Sequence, residues 1–380
     1  MAGVPQGPVD GLSSKVSSFL HGGSIENSSR FDPDTNAMKP SSPQPEPTPD
    51  RDTPGFRIRE YQPGDEIEIN AAFNRVFGLE RSLEEWKWKF GAQGERGRIL
   101  VAVDESGKVH AHYAATLIRL WFEGREMTGG QAVDSFSSRE REVVRSRLFV
   151  RVLERFHQKF GASGDLSYMF GFPGVRAKRL NSAIGLVRAW MPVSVWTDPE
   201  KAQRSPAKIS QWRVSTKWSP DEVDNLWSVA KSRHAFSAVR DSEWLIRRYC
   251  KHPTLSESYR HLFVRSRGRF GRGRLAAWGV FRETSDGLLW VDLEWDGVDE
   301  SALDAIYRHA VAGGPFRRRR RCSLWLDEDR QVEDWLRKSN WTRQDWPGGL
   351  WFIYCRYPPL SFGDDVGMSF RRMAGDTDIA

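Results

Sequence analysis

Two tandem α/β (α+β) domains are what this sequence predicts, and three observations predict them. Between Phe56 and Val195 the elements read in the order β-α-α-β-β-β-α-β-α-β, and a similar order restarts at Trp212 and runs to Tyr357. A short motif recurs at matching places in the two halves. Arg81-Ser82-Leu83-Glu84-Glu85-Trp86-Lys87-Trp88-Lys89-Phe90 parallels Arg240-Asp241-Ser242-Glu243-Trp244-Leu245-Ile246-Arg247-Arg248-Tyr249, each opening on Arg, carrying acid and Trp, and closing on a basic residue before an aromatic. Such a recurrence marks an internal duplication. Finally, the 380 residues are 39% hydrophobic with 17 Trp, enough to bury more than one core.

The elements follow in order. Residues 1–54 are rich in Ser, Pro, Gly and Asp and bury too little apolar surface to offset their ordering entropy, so they read as a disordered Pro/Ser-rich tail. The first domain spans 55–197. Phe56-Arg57-Ile58-Arg59 alternates as a strand does, and Gln62-Pro63-Gly64-Asp65 turns the chain into a helix ended by Gly78. Ser82-Leu83-Glu84-Glu85 is a capping box opening the aromatic helix. Residues 99–103 and 109–121 form a hairpin around a polar turn, and 127–136 is a further strand. A helix at 148–160, a buried strand at 166–172, a short helix at 175–183 and a strand region at 186–195 complete the domain. Residues 198–211, with Pro199 and Pro206, read as a linker. The second domain spans 212–358, its first helix announced by Ser219-Pro220-Asp221-Glu222, and 359–380 reads as a flexible C-terminal tail.

The formal net charge of +7 suits anionic partners and is also what an Arg-rich composition yields. Cys250, Cys322 and Cys355 have no metal-ligand spacing and are odd in number, which argues against a disulfide framework and for a reducing cytoplasm. No run approaches the roughly 18 apolar residues of a membrane helix, and no charged start precedes an apolar core, so a cytoplasmic location and no membrane partner are expected. His110 and His112 share a strand face without a third ligand, so no metal site is expected. Gly268-Arg269-Phe270-Gly271-Arg272-Gly273 resembles a phosphate loop but precedes a strand instead of opening a helix, and reads as a basic hairpin tip. The five arginines at 317–321 read as a solvated loop that could also meet an acidic polymer.

The stretches FRIREYQPGDEIEINAAFNRVFG, RSLEEWKWKF, ILVAVDESGKVHAHYA, GGQAVDSFSS and YMFGFPG make the first half resemble a GNAT N-acetyltransferase; RDSEWLIRRYCKHP and the strand order carry a fainter resemblance in the second. The resemblance implies a mixed, mostly antiparallel sheet in each domain, splayed open between its fourth and fifth strands. It implies acetyl-CoA in that gap, with pantetheine along the fourth strand at Ala132, Val133 and Ser135. The pyrophosphate would sit on a loop at the start of the next helix. Anchored on Leu148-Phe149, that loop ends Arg145-Ser146-Arg147, with arginines where the family has glycines. Either these residues bind the cofactor in an altered way, as charged forks, or the cofactor site has decayed. The family also uses a carboxylate base on the fourth strand, for which Asp134 is the candidate, and a Tyr proton donor on the helix after the fifth, where 175–183 has none. In the second half, Asp296-Gly297-Val298-Asp299-Glu300 follows the fourth strand, and its acids would repel CoA phosphates.

Three functional readings follow. The first is an acyl-CoA-dependent N-acyltransferase acting on a small-molecule or saccharide amine, for instance an amino sugar of a surface polysaccharide. The second is a non-catalytic GNAT-like protein binding a partner or a polyanion. The third is an aminoacyltransferase of the FemAB type, whose RNA-linked donor would make nucleic acid a partner.

Overall fold

The computed structural model describes residues 55–162, 164–175, 177–178, 190–199, 211–268, 273–312, 321–346, 349–357 and 369–377. The tail at 1–54, the linker at 200–210, the hairpin tip at 269–272, Arg317 to Arg320 and most of the helix expected at 175–183 lie outside the described residues.

In the first half, β1 (Arg57–Glu60) leads into α1 (Asp65–Phe77) and α2 (Leu83–Phe90). The capping box forms: Ser82 Oγ accepts from the Glu85 N–H, and Glu85 accepts from the Ser82 N–H, satisfying two donors that a helix start leaves open. β2 (Gly97–Val103), β3 (Val109–Phe122) and β4 (Arg125–Ser137) form an antiparallel meander. A helical turn, α3 (Arg141–Arg145), precedes α4 (Leu148–Phe156), which widens into a π turn over His157–Gly161. β5 (Tyr168–Gly171) then runs parallel to β4, and β6 (Trp190–Pro192) and β7 (Ser194–Thr197) follow. Leu148, Val152, Leu153 and Phe156 of α4 pack on one face of the sheet with Tyr113 and Met169. Ile69 and Ala72 of α1 and Trp86 and Phe90 of α2 cover the other.

The second half repeats this order with β8 (Trp212–Ser215), α5 (Pro220–Ala230), β9 (Phe236–Ala238) and α6 (Ser242–Leu245), the last widening into a π turn over Ile246–Cys250. β10 (Tyr259–Ser266), β11 (Leu275–Thr284) and β12 (Gly287–Trp295) form its meander. α7 (Ser301–Ala312), β13 (Cys322–Asp327), α8 (Arg330–Lys338), β14 (Thr342–Asp345), β15 (Trp351–Arg356) and β16 (Arg372–Met373) complete the chain. β12 and β13 are its parallel pair. Both sheets are thus mixed and mostly antiparallel, as expected. Among the described residues, no helix is long and apolar enough to cross a membrane.

The halves exchange strands. The first sheet runs β1-β2-β3-β4-β5-β15-β6 and the second β14-β7-β13-β12-β11-β10-β8. β15, from the end of the chain, lies between β5 and β6, while β7, from the first half, lies between β13 and β14. The domain limits drawn at 197 and 358 therefore cut through an exchanged pair of strands. Only Val193 separates β6 from β7, and one residue suffices to pass the chain between sheets. β9 extends the first sheet further by pairing with the end of β3.

The tail expected at 359–380 is not free over residues 370–377, which are buried. Phe370 packs among Tyr168, Phe170, Phe236 and Phe352. β16 pairs antiparallel with β13, Leu326 opposite Met373 and Asp327 opposite Arg372. Each of the segment's charges finds a buried counter-charge. Arg371 meets Asp329 at 2.9 Å and Glu294 at 3.3 Å, and Asp376 meets Arg240 at 2.8 Å.

Candidate functional site

β4 carries a bulge. His112 pairs with Phe136 and Ala114 with Val133, which leaves Asp134 and Ser135 opposite Tyr113 alone. Asp134 has φ 51°, a left-handed conformation that short polar side chains tolerate best. Its buried carboxylate pairs with Arg81 and, at 2.7 Å, with Lys89 Nζ. Burial alone would raise its pKa, but Arg81 and Lys89 outweigh that and hold it well below the usual carboxylate range. With a cation on each oxygen, Asp134 is a poor proton acceptor. This pairing holds Arg81 and Lys89 at the bulge and disfavours the role of base expected for Asp134.

The second half builds the same lock. Arg240, the counterpart of Arg81 in the repeated motif, donates to Asp292 on β12 at 2.7 Å. β12 is bulged there too, with Val280 opposite Asp292 and Phe281 opposite Trp290. The repeated motif is therefore the anchor of the fourth strand's bulge in both copies.

The parallel pairing of β4 with β5 joins Gly129, Gly130 and Gln131 to Tyr168, Met169 and Phe170, and stops there. Just beyond, a Cβ added to Gly171 would lie 3.3 Å from that of Ala132. Successive side chains of a strand point to opposite faces. Ala132 lines a cavity on the α4 face with Tyr113, His157 and Cys355. Gln131 and Val133 line another on the α2 face, with Thr116 of β3 and Trp88 and Lys89 of α2. Trp244, Arg247 and Arg248 of the second half form its far wall. The two cavities, about 10 Å³ on the α4 face and about 20 Å³ on the α2 face, back onto the same stretch of β4. At that size each holds about one water molecule, so a ligand would reach the strand only by widening them.

The chemistry of the two faces differs. On the α4 side, burial raises the Tyr113 hydroxyl well above the usual tyrosine range, so it stays protonated. Burial pushes His157 down to about 4 and leaves it neutral beside the Tyr357 hydroxyl. On the α2 side three cations and no carboxylate line the cavity. Tyr113 and the two arginines went unnoticed in the sequence; only the opposition of Tyr113 to the bulge and the alignment of the repeated motifs could have signalled them. His112 donates through Nδ1 to the Asp134 carbonyl at 2.8 Å and stacks on Phe136, whereas His110 pairs with Asp104 at 2.8 Å. The two histidines thus serve different neighbours.

The expected cofactor loop is not an open backbone cradle. Arg141–Arg145 coil into α3 with Val143 buried, and the N–H groups of Val144, Ser146 and Arg147 bond to the carbonyls of Glu140, Glu142 and Val144. Ser146 Oγ turns back to the Val143 carbonyl at 3.0 Å, and Ser135 Oγ lies 3.5 Å from the Val133 carbonyl. Arg147 takes φ 53° immediately before α4, whose start has no side-chain cap. Arg141, Arg145 and Arg147 are exposed and, among the described residues, pair with no carboxylate. Exposed guanidinium groups thus stand around an uncapped helix start at the places where the expected loop has glycines.

The matching cleft of the second half holds the chain's own C-terminal segment. Pairing of β12 with β13 ends at Trp290 and Leu324. Beyond that point β16 pairs with β13, and Arg371 Nη2 donates to the Leu293 carbonyl of β12 at 2.9 Å. A ligand between these strands would have to displace that segment.

No family model and no curated protein sequence matches the chain. Solved structures do. A conserved protein of Enterococcus faecalis V583 described as a probable N-acyltransferase aligns with TM-score 0.54 and 10% identity, over 79% of this chain and 71% of its own. A GCN5-related N-acetyltransferase of Anabaena variabilis ATCC 29413 aligns with TM-score 0.52 and 11% identity, over 79% and 72%. The N-myristoyltransferase of Saccharomyces cerevisiae, solved with bound myristoyl-CoA, aligns with TM-score 0.50 and 12% identity, over 91% of this chain and 93% of its own. At such identities the likeness shows the fold alone: the chain shares the fold of these structures, built here from two halves of similar element order.

Proposed function

We propose that the chain is an acyl-CoA-dependent N-acyltransferase whose first half carries out the transfer. The observation behind this reading is the pair of cavities that reach Gln131, Ala132 and Val133 from opposite faces of one sheet. Two substrates entering from opposite sides would meet at a fixed place, which is where a transferase gains most of its rate. Acyl-CoA is assigned to the α4 side. Its phosphates would lie by Arg145, Ser146 and Arg147, and its thioester end along Ala132, Val133 and Ser135, past the last pairing with β5. Acetyl-CoA, with the smallest common acyl group, is the donor to assay first.

The acceptor amine enters from the α2 side. Arg247 and Arg248 there disfavour a further positive charge, so they lower the pKa of an incoming ammonium and raise the fraction of neutral, nucleophilic amine. Tyr113, kept protonated by burial, can donate a hydrogen bond to the departing sulfur on the opposite face, while the proton that the nitrogen loses is the one that the thiol gains. An amino sugar, such as that of a surface polysaccharide, suits Trp88 and Trp244, whose flat faces can stack on a sugar ring. Three free thiols are consistent with work in a reducing cytoplasm.

Thiol release from acetyl-CoA in the presence of glucosamine tests the reading. Turnover is expected, rising with pH through the amine's own titration and falling about a hundredfold in Tyr113→Phe. Absence of both turnover and acetyl-CoA binding would overturn it in favour of a non-catalytic binding protein.

A further inference from the structure

The repeated motif has diverged where it meets the acceptor cavity. Arg247 and Arg248 occupy the places that Trp88 and Lys89 hold in the first copy. In the first copy, Lys89 is spent on Asp134 at 2.7 Å. In the second, the corresponding Asp292 is already satisfied by Arg240 at 2.7 Å, by Trp244 Nε1 at 2.8 Å and by the Tyr249 hydroxyl at 2.7 Å. Nothing remains on Asp292 for Arg248. The helix also widens at this point, and the π turn over Ile246–Cys250 brings two consecutive arginines to one cavity wall.

Among the described residues, neither Arg247 nor Arg248 forms an ion pair, and the one hydrogen bond of the Arg247 guanidinium runs to the Leu117 carbonyl at 3.4 Å. The nearby acids Asp241 and Glu243 are taken by Arg119 at 2.5 Å and 3.1 Å. Burial, together with Arg96 and Arg248, pulls the half-buried Arg247 guanidinium down to about 10, so it is still charged at neutral pH. A partly desolvated cation without a partner is costly, and an anion supplied by a ligand offsets that cost.

We infer that the acceptor amine belongs to a molecule that also carries an anionic group, a carboxylate or a phosphate, which Arg247 and Arg248 of the second half bind while the amine lies at Gln131 and Val133. This inference rests on the transfer reading given above for the role of the amine. It explains what the second half contributes. Its own cleft is filled, and it supplies the wall that selects the acceptor.

Calorimetric titration of the full chain with ethanolamine, phosphoethanolamine and β-alanine, without any acyl donor, tests it. At least one of the two anionic amines is expected to bind about tenfold more tightly than ethanolamine, and the stronger of the two identifies the anion. Arg247→Gln/Arg248→Gln should erase the preference, whereas Arg247→Lys, which keeps the charge, should retain most of it and guards against a folding artefact. Equal or undetectable binding of all three amines, or a preference that survives in the double glutamine variant, would overturn the inference. Acetyl-transfer assays with the same amines separate it from the transfer reading. Anion-selective binding without transfer sinks the transferase and leaves the arginine site standing, whereas equal transfer to all three amines does the reverse.

Discussion

The two fourth-strand clefts begin alike and end differently. Each has a parallel strand pair, a bulged fourth strand and a buried Arg–Asp lock supplied by the repeated motif. In the first, the strands stop pairing at Gln131 and cavities open on both faces. In the second, the same space is filled by residues 370–377, held by Arg371 on Glu294 and Asp329 and by Asp376 on Arg240. Duplication thus preserved the scaffold and divided the labour. One copy has cavities on both faces of its fourth strand, and the other closes its cleft with its own chain and lends a helix to the first.

The largest effect should come from reopening the filled cleft. Arg371→Ala leaves Glu294 and Asp329 buried with less counter-charge and should cost about 3–5 kcal/mol in a denaturant titration. It should not create a second acyl-CoA site, because the acids that remain repel phosphates. The sign of the pH dependence follows from the same groups. Burial works to raise Glu294, but Arg371, His234 and Arg233 outweigh it and hold it far below the usual range, as Arg81 and Lys89 hold Asp134. The stability these carboxylates contribute is therefore complete above their unfolded pKa of about 4 and drains as pH falls below it. A fluorescence-monitored acid titration should show a steep loss below about pH 4, and an unchanged stability down to pH ~2 would contradict this.

Next in size is the first lock. Asp134→Asn leaves Arg81 without its charge partner and should lower stability by about 3 kcal/mol. If Asp134 is a positioning residue, the pH–rate profile of the folded variant keeps its shape. Loss of an acidic limb would show instead that Asp134 is the base. Gly171→Val places a branched side chain against Ala132, and overpacking of that kind costs about 1–3 kcal/mol. Its larger consequence should be loss of acyl-CoA binding, read by calorimetry. The smallest effects belong to the loop before α4. Arg147→Gly relieves a left-handed backbone and should stabilise by up to about 1 kcal/mol in thermal unfolding. Arg145→Ala/Arg147→Ala should weaken acyl-CoA binding about tenfold while leaving the melting temperature almost unchanged.

Much of the scaffold was legible because its signals are local. The capping box at Ser82, the apolar face of α4 and the repeated motif can each be read within a dozen residues. The strand exchange was not legible, because alternation in a short strand such as β7 shows that it is buried and not which sheet buries it. The closed second cleft was hidden for a related reason: Arg371, Arg372 and Asp376 look like solvated charges until Glu294, Asp327 and Arg240 are brought to them from far along the chain. Within the site, Ala132, Val133 and Asp134 were located on the correct strand, but the role of Asp134 depended on Arg81 and Lys89, more than forty residues away. Likewise, the arginines at 145 and 147 were visible as a departure from glycine, and only the coiled α3 shows that the backbone N–H groups there are already bonded within the chain.

The division between an open and a filled cleft is tested most directly by the stoichiometry of acyl-CoA binding in variants of each. Calorimetric titration with acetyl-CoA should give one site per chain in the unaltered protein, no binding in Gly171→Val, and one undiminished site in Asp376→Asn, which alters only the filled cleft. Two sites per chain, binding that persists in Gly171→Val, or binding lost in a folded Asp376→Asn variant would contradict the assignment of the open cleft to the first half.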